Sequence, residues 1–95
     1  MLPEARVPVH PGTILLEEFL EPLHLSAVYL ARHLRTPVEI IESLLAGERA
    51  ITAELAWRLA QAFGTTPELW MNLQVQYDLA RAKSETQMPP LLARS

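Results

Sequence analysis

Residues 26–47 carry two short helical patterns separated by only two residues, and this spacing constrains the fold more than any other feature of the chain. Ser26 is a good N-cap for the first helix, and Gly47 suits a left-handed C-cap for the second. Arg35 and Thr36 form the connection. The apolar residues of the two segments recur at helical spacing: Leu30, Ala31, Leu34, Ile41, Leu44 and Leu45. The sequence therefore predicts two helices that pack against each other across a tight turn.

Proline and capping residues divide the rest of the chain into further short helices. Pro11 opens a first helix over roughly 12–21, and we expect Pro22 to end it. Thr52 and Thr66 are N-caps for a fourth and a fifth helix. No segment shows the alternation that is typical of a strand.

The composition fits one small helical domain. A chain of 95 residues with 49% hydrophobic residues can bury a single core. It has no cysteine, and no apolar run is long enough for a leader or a membrane span, so we expect a cytoplasmic protein. We predict an all-α fold with a compact five-helix domain over 10–83. An extended arm over 1–9 precedes this domain, and a loose tail over 84–95 follows it.

The outer face of the second helix of the pair is acidic. Glu39, Glu42, Ser43 and Ala46 lie at steps of three and four, and therefore share one face. Two helices across a tight turn are the pattern of a DNA-binding helix-turn-helix, whose second helix enters the major groove. There a carboxylate can accept a hydrogen bond from the amino group of cytosine, whereas phosphates repel it. The other interpretation is a solvated face that meets no DNA. The net charge is −3, so we expect weak binding to non-specific DNA.

Other residues near this face are candidates for the same contact. Ile40 either touches a thymine methyl group or fills an edge of the core. Arg49 is a phosphate contact or an ordinary exposed arginine, and Ser26 and Thr36 are caps first and phosphate contacts second. The candidate DNA-binding residues are therefore Ser26, Thr36, Glu39, Ile40, Glu42, Ser43 and Arg49.

The predicted fifth helix has an apolar face that is either core or a dimer interface. A protein that reads a palindromic site must dimerise, so we favour the interface. The candidate interface residues are Trp70, Leu73, Gln74 and Tyr77.

The sequence predicts neither a metal site nor an enzyme. His10, His24 and His33 have no spacing that would bring ligands together. No residues form the arrangement of an activated nucleophile or of a phosphate loop, so we expect no cofactor.

From about residue 10 to residue 79 the chain resembles HigA-type antitoxins, within the lambda-repressor-like helix-turn-helix group. Three segments carry the resemblance: His10-Pro11-Gly12, Arg49-Ala50-Ile51-Thr52 and Phe63-Gly64-Thr65-Thr66-Pro67-Glu68-Leu69-Trp70. The third segment is the most specific, because few other groups have it.

The resemblance implies a dimeric antitoxin with two tasks, and a dimer built largely with the fifth helix. One task is to neutralise a cognate RelE-like ribonuclease toxin, and the other is to bind operator DNA as a transcriptional repressor. Such a toxin is expected to be basic. By charge, the acidic first helix with Glu17, Glu18 and Glu21 is therefore a candidate toxin-binding surface.

Several residues depart from the family pattern in a direction that weakens DNA contact. Ala27 replaces a common Gln, Arg35 replaces the usual Gly of the turn, and Glu48 replaces a frequent Lys. Glu39 and Glu42 stand where small polar or basic residues are usual. Two alternatives therefore remain: an antitoxin that only binds its toxin, and a solitary helix-turn-helix regulator without a toxin.

Overall fold

The computed structural model describes residues 9–83 and 85–92. Within this part of the chain five helices and no strand are present: α1 over 11–23, α2 Ala27–Leu34, α3 Val38–Leu45, α4 Ala53–Phe63 and α5 Pro67–Lys83. The predicted all-α fold with five helices is confirmed. Of the predicted arm, residues 1–8 lie outside the described residues, as do residues 84 and 93–95 of the predicted tail.

Helix α1 continues through Pro22, which corrects the prediction that this proline ends it. The helix is α-helical over Pro11–Ile14, π-helical over Leu15–Leu20 and α-helical again over Glu21–Leu23. In the π-helical turn the N–H of Glu21 donates to the carbonyl of Leu16, five residues back. The backbone therefore no longer follows the α-helical hydrogen-bond pattern when the chain reaches Pro22. The missing N–H of this proline does not end the helix there.

The helices pack around one core to which all five contribute. Its fully buried large side chains include Leu15 and Leu20 of α1, Ile41 of α3 and Trp70 of α5. Trp70 packs against Phe19, with 5.2 Å between ring centroids, and its Nε1 donates to Thr65 Oγ1 at 2.8 Å. Packing of this density holds α2 and α3 against the rest of the domain.

Helices α1 and α2 end on residues other than glycine in the left-handed conformation. His24 has φ 58° and Arg35 has φ 54°, whereas Gly47 and Gly64 occupy the equivalent places after α3 and α4. After α2, the N–H of Thr36 bonds the carbonyl of Ala31 and the N–H of Arg35 bonds that of Arg32, which is the Schellman pattern. The turn between α2 and α3 therefore forms without glycine, at the steric cost of a left-handed arginine.

The start of α1 is seated on the end of α3. Gly12 lies so close to α3 that a Cβ atom added to it would stand 1.8 Å from the carbonyl oxygen of Leu44. His10 precedes it as N-cap and is 8% exposed, and its Nδ1 accepts the N–H of Gly12 at 2.9 Å. The His10 ring also meets the Tyr77 ring edge-on, with 4.8 Å between centroids. Residues 10–12 thus join three elements: α1, the end of α3 and α5.

Candidate nucleic-acid interface

Helices α2 and α3 form the predicted pair, and α3 presents its acidic face to solvent. Glu39, Glu42 and Ala46 are exposed, and Ser43 between them is half-buried. Ile40 is half-buried and packs against the core, so it forms the edge of this face rather than its centre. We call the exposed side of Glu39, Glu42, Ser43 and Ala46 the reading face.

Arg49 lies beside the reading face because Ser43 binds it. The Nε of Arg49 donates to Ser43 Oγ at 2.9 Å, and Ser43 Oγ donates to the carbonyl of Ile40 at 3.1 Å. The loop that follows α3 therefore directs an exposed positive charge toward the one neutral polar side chain of the face. The sequence predicted both residues as DNA contacts but did not predict their hydrogen bond.

Ser26 and Thr36 are engaged within the chain. Ser26 Oγ accepts the N–H of Tyr29 at 3.0 Å, which confirms its role as the N-cap of α2. Thr36 does not cap α3, which corrects that prediction: Pro37 occupies the N-cap position, and Thr36 Oγ1 instead donates to the carbonyl of Leu34 at 3.1 Å, inside the turn. Each hydroxyl oxygen retains acceptor capacity, but the positions of both side chains are set by the helix ends they bind.

Sequence reasoning missed Arg58, which lies on α4 and reaches the turn. Its Nη1 donates to the carbonyl of Leu34 at 2.5 Å, to that of Arg35 at 3.0 Å and to Thr36 Oγ1 at 3.3 Å. Its Nη2 binds Glu54 Oε2 at 2.6 Å. The only local sequence signal is the spacing of Glu54 and Arg58, four residues apart on one helix.

The groove beside the turn is bordered by three arginines. Arg35, Arg49 and Arg58 line it together with residues of the turn, of α3 and of the start of α4. Glu54 is the acidic residue of the same groove. With three arginines against one glutamate, the side chains that line this groove carry a positive formal charge.

Two of the four candidate interface residues lie inside the chain, which corrects their assignment to a dimer surface. Trp70 is fully buried, and Gln74 is 6% exposed. The side chain of Gln74 accepts the N–H of Ile51 at 2.7 Å and donates to Asp78 Oδ1 at 2.9 Å. Leu73 and Tyr77 are half-buried. The exposed apolar residues farther along α5 are Val75 and Leu79.

The three glutamates of α1 are all exposed. Glu17, Glu18 and Glu21 lie on the side of α1 away from the buried Leu15 and Leu20. The structure therefore presents them as a patch of negative charge.

Burial lowers the pKa of His10 from its ordinary value of 6.5. A hydrogen bond with the backbone of Arg49 and the charge of Asp78 oppose this effect, and the charge of Arg81 adds to it. A neutral imidazole suits the geometry, because Nδ1 must accept a hydrogen bond from Gly12. Among the described residues, no group of three or more acidic, histidine or cysteine side chains is arranged to hold a metal ion. No helix in the same part of the chain is long and apolar enough to cross a membrane.

Comparison with known proteins places this architecture in a family. A family model described as helix-turn-helix matches residues 16–70. The antitoxin HigA-1 of Vibrio cholerae is 39% identical over 74 residues, which cover 78% of this chain and 70% of that protein.

Two solved structures are similar over nearly the whole described chain. PA4674 of Pseudomonas aeruginosa, in complex with its 18-bp operator DNA, has a TM-score of 0.84 and 37% identity, covering 88% of this chain and 97% of that one. The Pseudomonas aeruginosa antitoxin HigA with the higBA promoter has a TM-score of 0.83 and 38% identity, covering 90% and 99%.

Proposed function

Because this chain belongs to the helix-turn-helix family, in its HigA-type antitoxin group, we propose that it is a dimeric antitoxin that represses its own operon. In this role it binds operator DNA through α2 and α3, and it neutralises a cognate RelE-like ribonuclease toxin. The proposed function needs no catalytic step on this chain.

The observation that carries the proposal is the similarity to a chain bound to its operator. The PA4674 structure matches 88% of this chain with a TM-score of 0.84, and its DNA is that protein's own operator. In helix-turn-helix proteins the second helix of the pair enters the major groove. The corresponding helix here is α3, whose reading face is exposed.

The charges of the interface support specific rather than general DNA binding. Arg49 and the basic groove stand beside the turn, where backbone contacts position such a protein. Glu39 and Glu42 stand on the reading face, where a carboxylate accepts only from a base amino group. We expect binding to the natural operator and weak binding to other DNA.

The proposed dimer uses the outer part of α5. Val75 and Leu79 are 45% and 61% exposed and lie four residues apart, so they share one face of the helix. Leu73 and Tyr77 border the core from the same helix. We expect Leu79→Glu to produce monomers in light scattering, and Leu23→Glu, at a leucine of α1 that is 56% exposed, to leave the dimer intact. A monomeric wild-type protein would contradict this part of the proposal.

The proposed toxin surface is the acidic patch of α1. Glu17, Glu18 and Glu21 are all exposed, and their charge is complementary to that of a basic toxin. Co-purification with a small basic protein encoded by the neighbouring gene tests whether the chain binds a toxin. A wild-type protein that fails to bind such a neighbour would favour the solitary regulator.

A second candidate function follows from the acidity of the reading face. Glu39 and Glu42 are both exposed where DNA phosphates would repel them, which favours an antitoxin that binds only its toxin. The two functions differ in their response to a change of that charge.

The decisive experiment replaces Glu39 and Glu42 together by Ser and measures DNA binding by fluorescence anisotropy at low salt. The probes are a duplex of the DNA upstream of the gene and a duplex of unrelated sequence. We expect tighter binding to the unrelated duplex, because two repelled carboxylates are removed. Lower affinity for the upstream duplex would identify a glutamate as a base contact.

A matched control separates this local effect from net charge. Glu17 and Glu18 replaced by Ser make the same charge change on α1, away from the reading face. If the Glu17/Glu18 control gains as much affinity for DNA as the Glu39/Glu42 variant, the antitoxin that binds only its toxin is favoured. The same conclusion follows if the wild type and both double variants bind neither duplex.

A further inference from the structure

We infer that Arg58 positions the recognition helix α3 by locking the turn between α2 and α3, and that operator binding depends on its guanidinium group. The inference rests on the proposed DNA binding, and it names a positioning residue on α4, outside the two-helix unit. Arg58 binds Leu34, Arg35 and Thr36, so its contacts cover the whole turn.

The turn requires an external partner because it is short and is built on a left-handed arginine. Arg35 has φ 54°, a conformation that is sterically strained for an L-residue. The carbonyls of Leu34 and Arg35 lie at the C-terminal end of α2, where carbonyl groups lack helical partners and carry the negative end of the dipole. A guanidinium group supplies both the donors and the positive charge that this helix end needs.

Glu54 orients the guanidinium group toward the turn. Its carboxylate binds Nη2 at 2.6 Å, while Nη1 reaches the turn. The two side chains are 73% and 36% exposed, so this ion pair adds little stability by itself. Its effect is geometric, because a planar group held at one nitrogen has a defined direction at the other.

The same contacts argue against Arg58 as a phosphate contact. Nη1 is engaged by the turn and Nη2 by Glu54, so both terminal nitrogens already have acceptors, and the carboxylate beside them would repel a phosphate. Arg35 and Arg49 are more exposed and line the same groove. The geometry therefore leaves phosphate binding to those two and leaves Arg58 on the turn.

The first test is Arg58→Lys, measured with the upstream duplex by anisotropy over a range of salt concentrations. Lysine keeps the charge but has no planar fork, so it cannot hold the turn and Glu54 at once. We expect a loss of affinity of about tenfold or more, with Arg58→Met equal to it. If Arg58 instead touches phosphate, Arg58→Lys keeps the affinity, and Arg58→Met lowers the slope of log K against log salt by about one. That result would overturn the inference.

The second test is Glu54→Gln, with Glu68→Gln as the matched control. Both glutamates stand in the first turn of a helix, and both changes remove one negative charge. We expect Glu54→Gln to weaken operator binding relative to the control, because a neutral amide oxygen holds the guanidinium group less firmly than a carboxylate does. Tighter binding than in the control would mean that the freed nitrogen takes a phosphate, and would refute the inference.

A third measurement needs no DNA, so it separates failure of this inference from failure of the proposed function. The N–H of Thr36 bonds Ala31, and the N–H of Ile40 bonds Pro37, both at the turn. We expect these amides to exchange with solvent faster in Arg58→Lys, with amides of α5 unchanged. Equal exchange at the turn in wild type and variant would overturn the positioning role, whether or not the wild type binds DNA.

Discussion

Gly12→Ala is expected to destabilise the domain, although helix propensity alone predicts the opposite. Gly12 lies in the first turn of α1, and in an exposed helix the change from Gly to Ala adds about 1 kcal/mol of stability. Here the new Cβ would stand 1.8 Å from the carbonyl oxygen of Leu44, whereas real Cβ atoms essentially never approach closer than 3.0 Å. The nearest atom is backbone, so no side chain can rotate away.

The magnitude follows from what must move. Helix α1 or the last turn of α3 has to shift by more than an ångström in a region where Gly12 is buried and His10 is held by Tyr77. Overpacking of a dense interior costs up to about 3 kcal/mol, and a rigid backbone contact belongs at the upper end of that range. For a domain of this size that corresponds to a melting temperature lower by about 12–24 °C.

Calorimetry of Gly12→Ala beside Gly64→Ala tests the reasoning. Gly64 has φ 71° and open space around an added Cβ, so its change costs about 1–2 kcal/mol of backbone strain without a clash. We expect Gly12→Ala to be the less stable of the two variants. A melting temperature equal to or above that of the wild type would mean that the seating of α1 on α3 is wrong.

Three further outcomes are expected. Arg35→Gly should stabilise the domain by about 1 kcal/mol, because glycine adopts φ 54° without strain; chemical denaturation with an unchanged midpoint would contradict this. Burial lowers the pKa of His10, so the folded protein binds fewer protons than the unfolded chain, and stability falls as pH drops below 6.5 toward the lowered pKa. In urea titrations between pH 6.5 and pH 5, His10→Asn should flatten this dependence, and a wild type with constant stability over that interval would refute the link. Ile41→Ala should cost about 2–5 kcal/mol, because the side chain is fully buried; an unaltered melting temperature would show that α3 is not part of the core.

The sequence predicted the ends of most helices correctly because those signals act within a few residues. Ser26 and Thr52 accept backbone N–H groups three residues ahead, and Gly47 and Gly64 adopt the left-handed conformation. Two signals were misleading: Thr36 does not cap α3, and Pro22 does not end α1. A proline normally ends a helix, and the π-helical turn before it was not visible in the residue pattern.

The sequence also placed three of the seven candidate DNA contacts on one face of α3. Glu39, Glu42 and Ser43 share a face because the helical period alone determines which residues do so. Whether that face meets DNA depends on residues from other elements. The bond from Arg49 to Ser43 crosses the loop after α3, and no local rule predicts it.

Only the tertiary structure decided which side chains serve the core and which hold the turn. The helical spacing of Trp70 was compatible with a dimer interface and with the core. The packing of Phe19 against its ring shows that Trp70 belongs to the core. Arg58 lies more than twenty residues from the carbonyls that it binds, so its partners depend on where α4 passes α2. Caps and helical periods are interactions within one segment and can be read from the chain. Contacts such as those of Arg58 and Gly12 depend on how separate helices cross. Residues that are near each other in the sequence do not determine that crossing, so these contacts could not be predicted from local patterns.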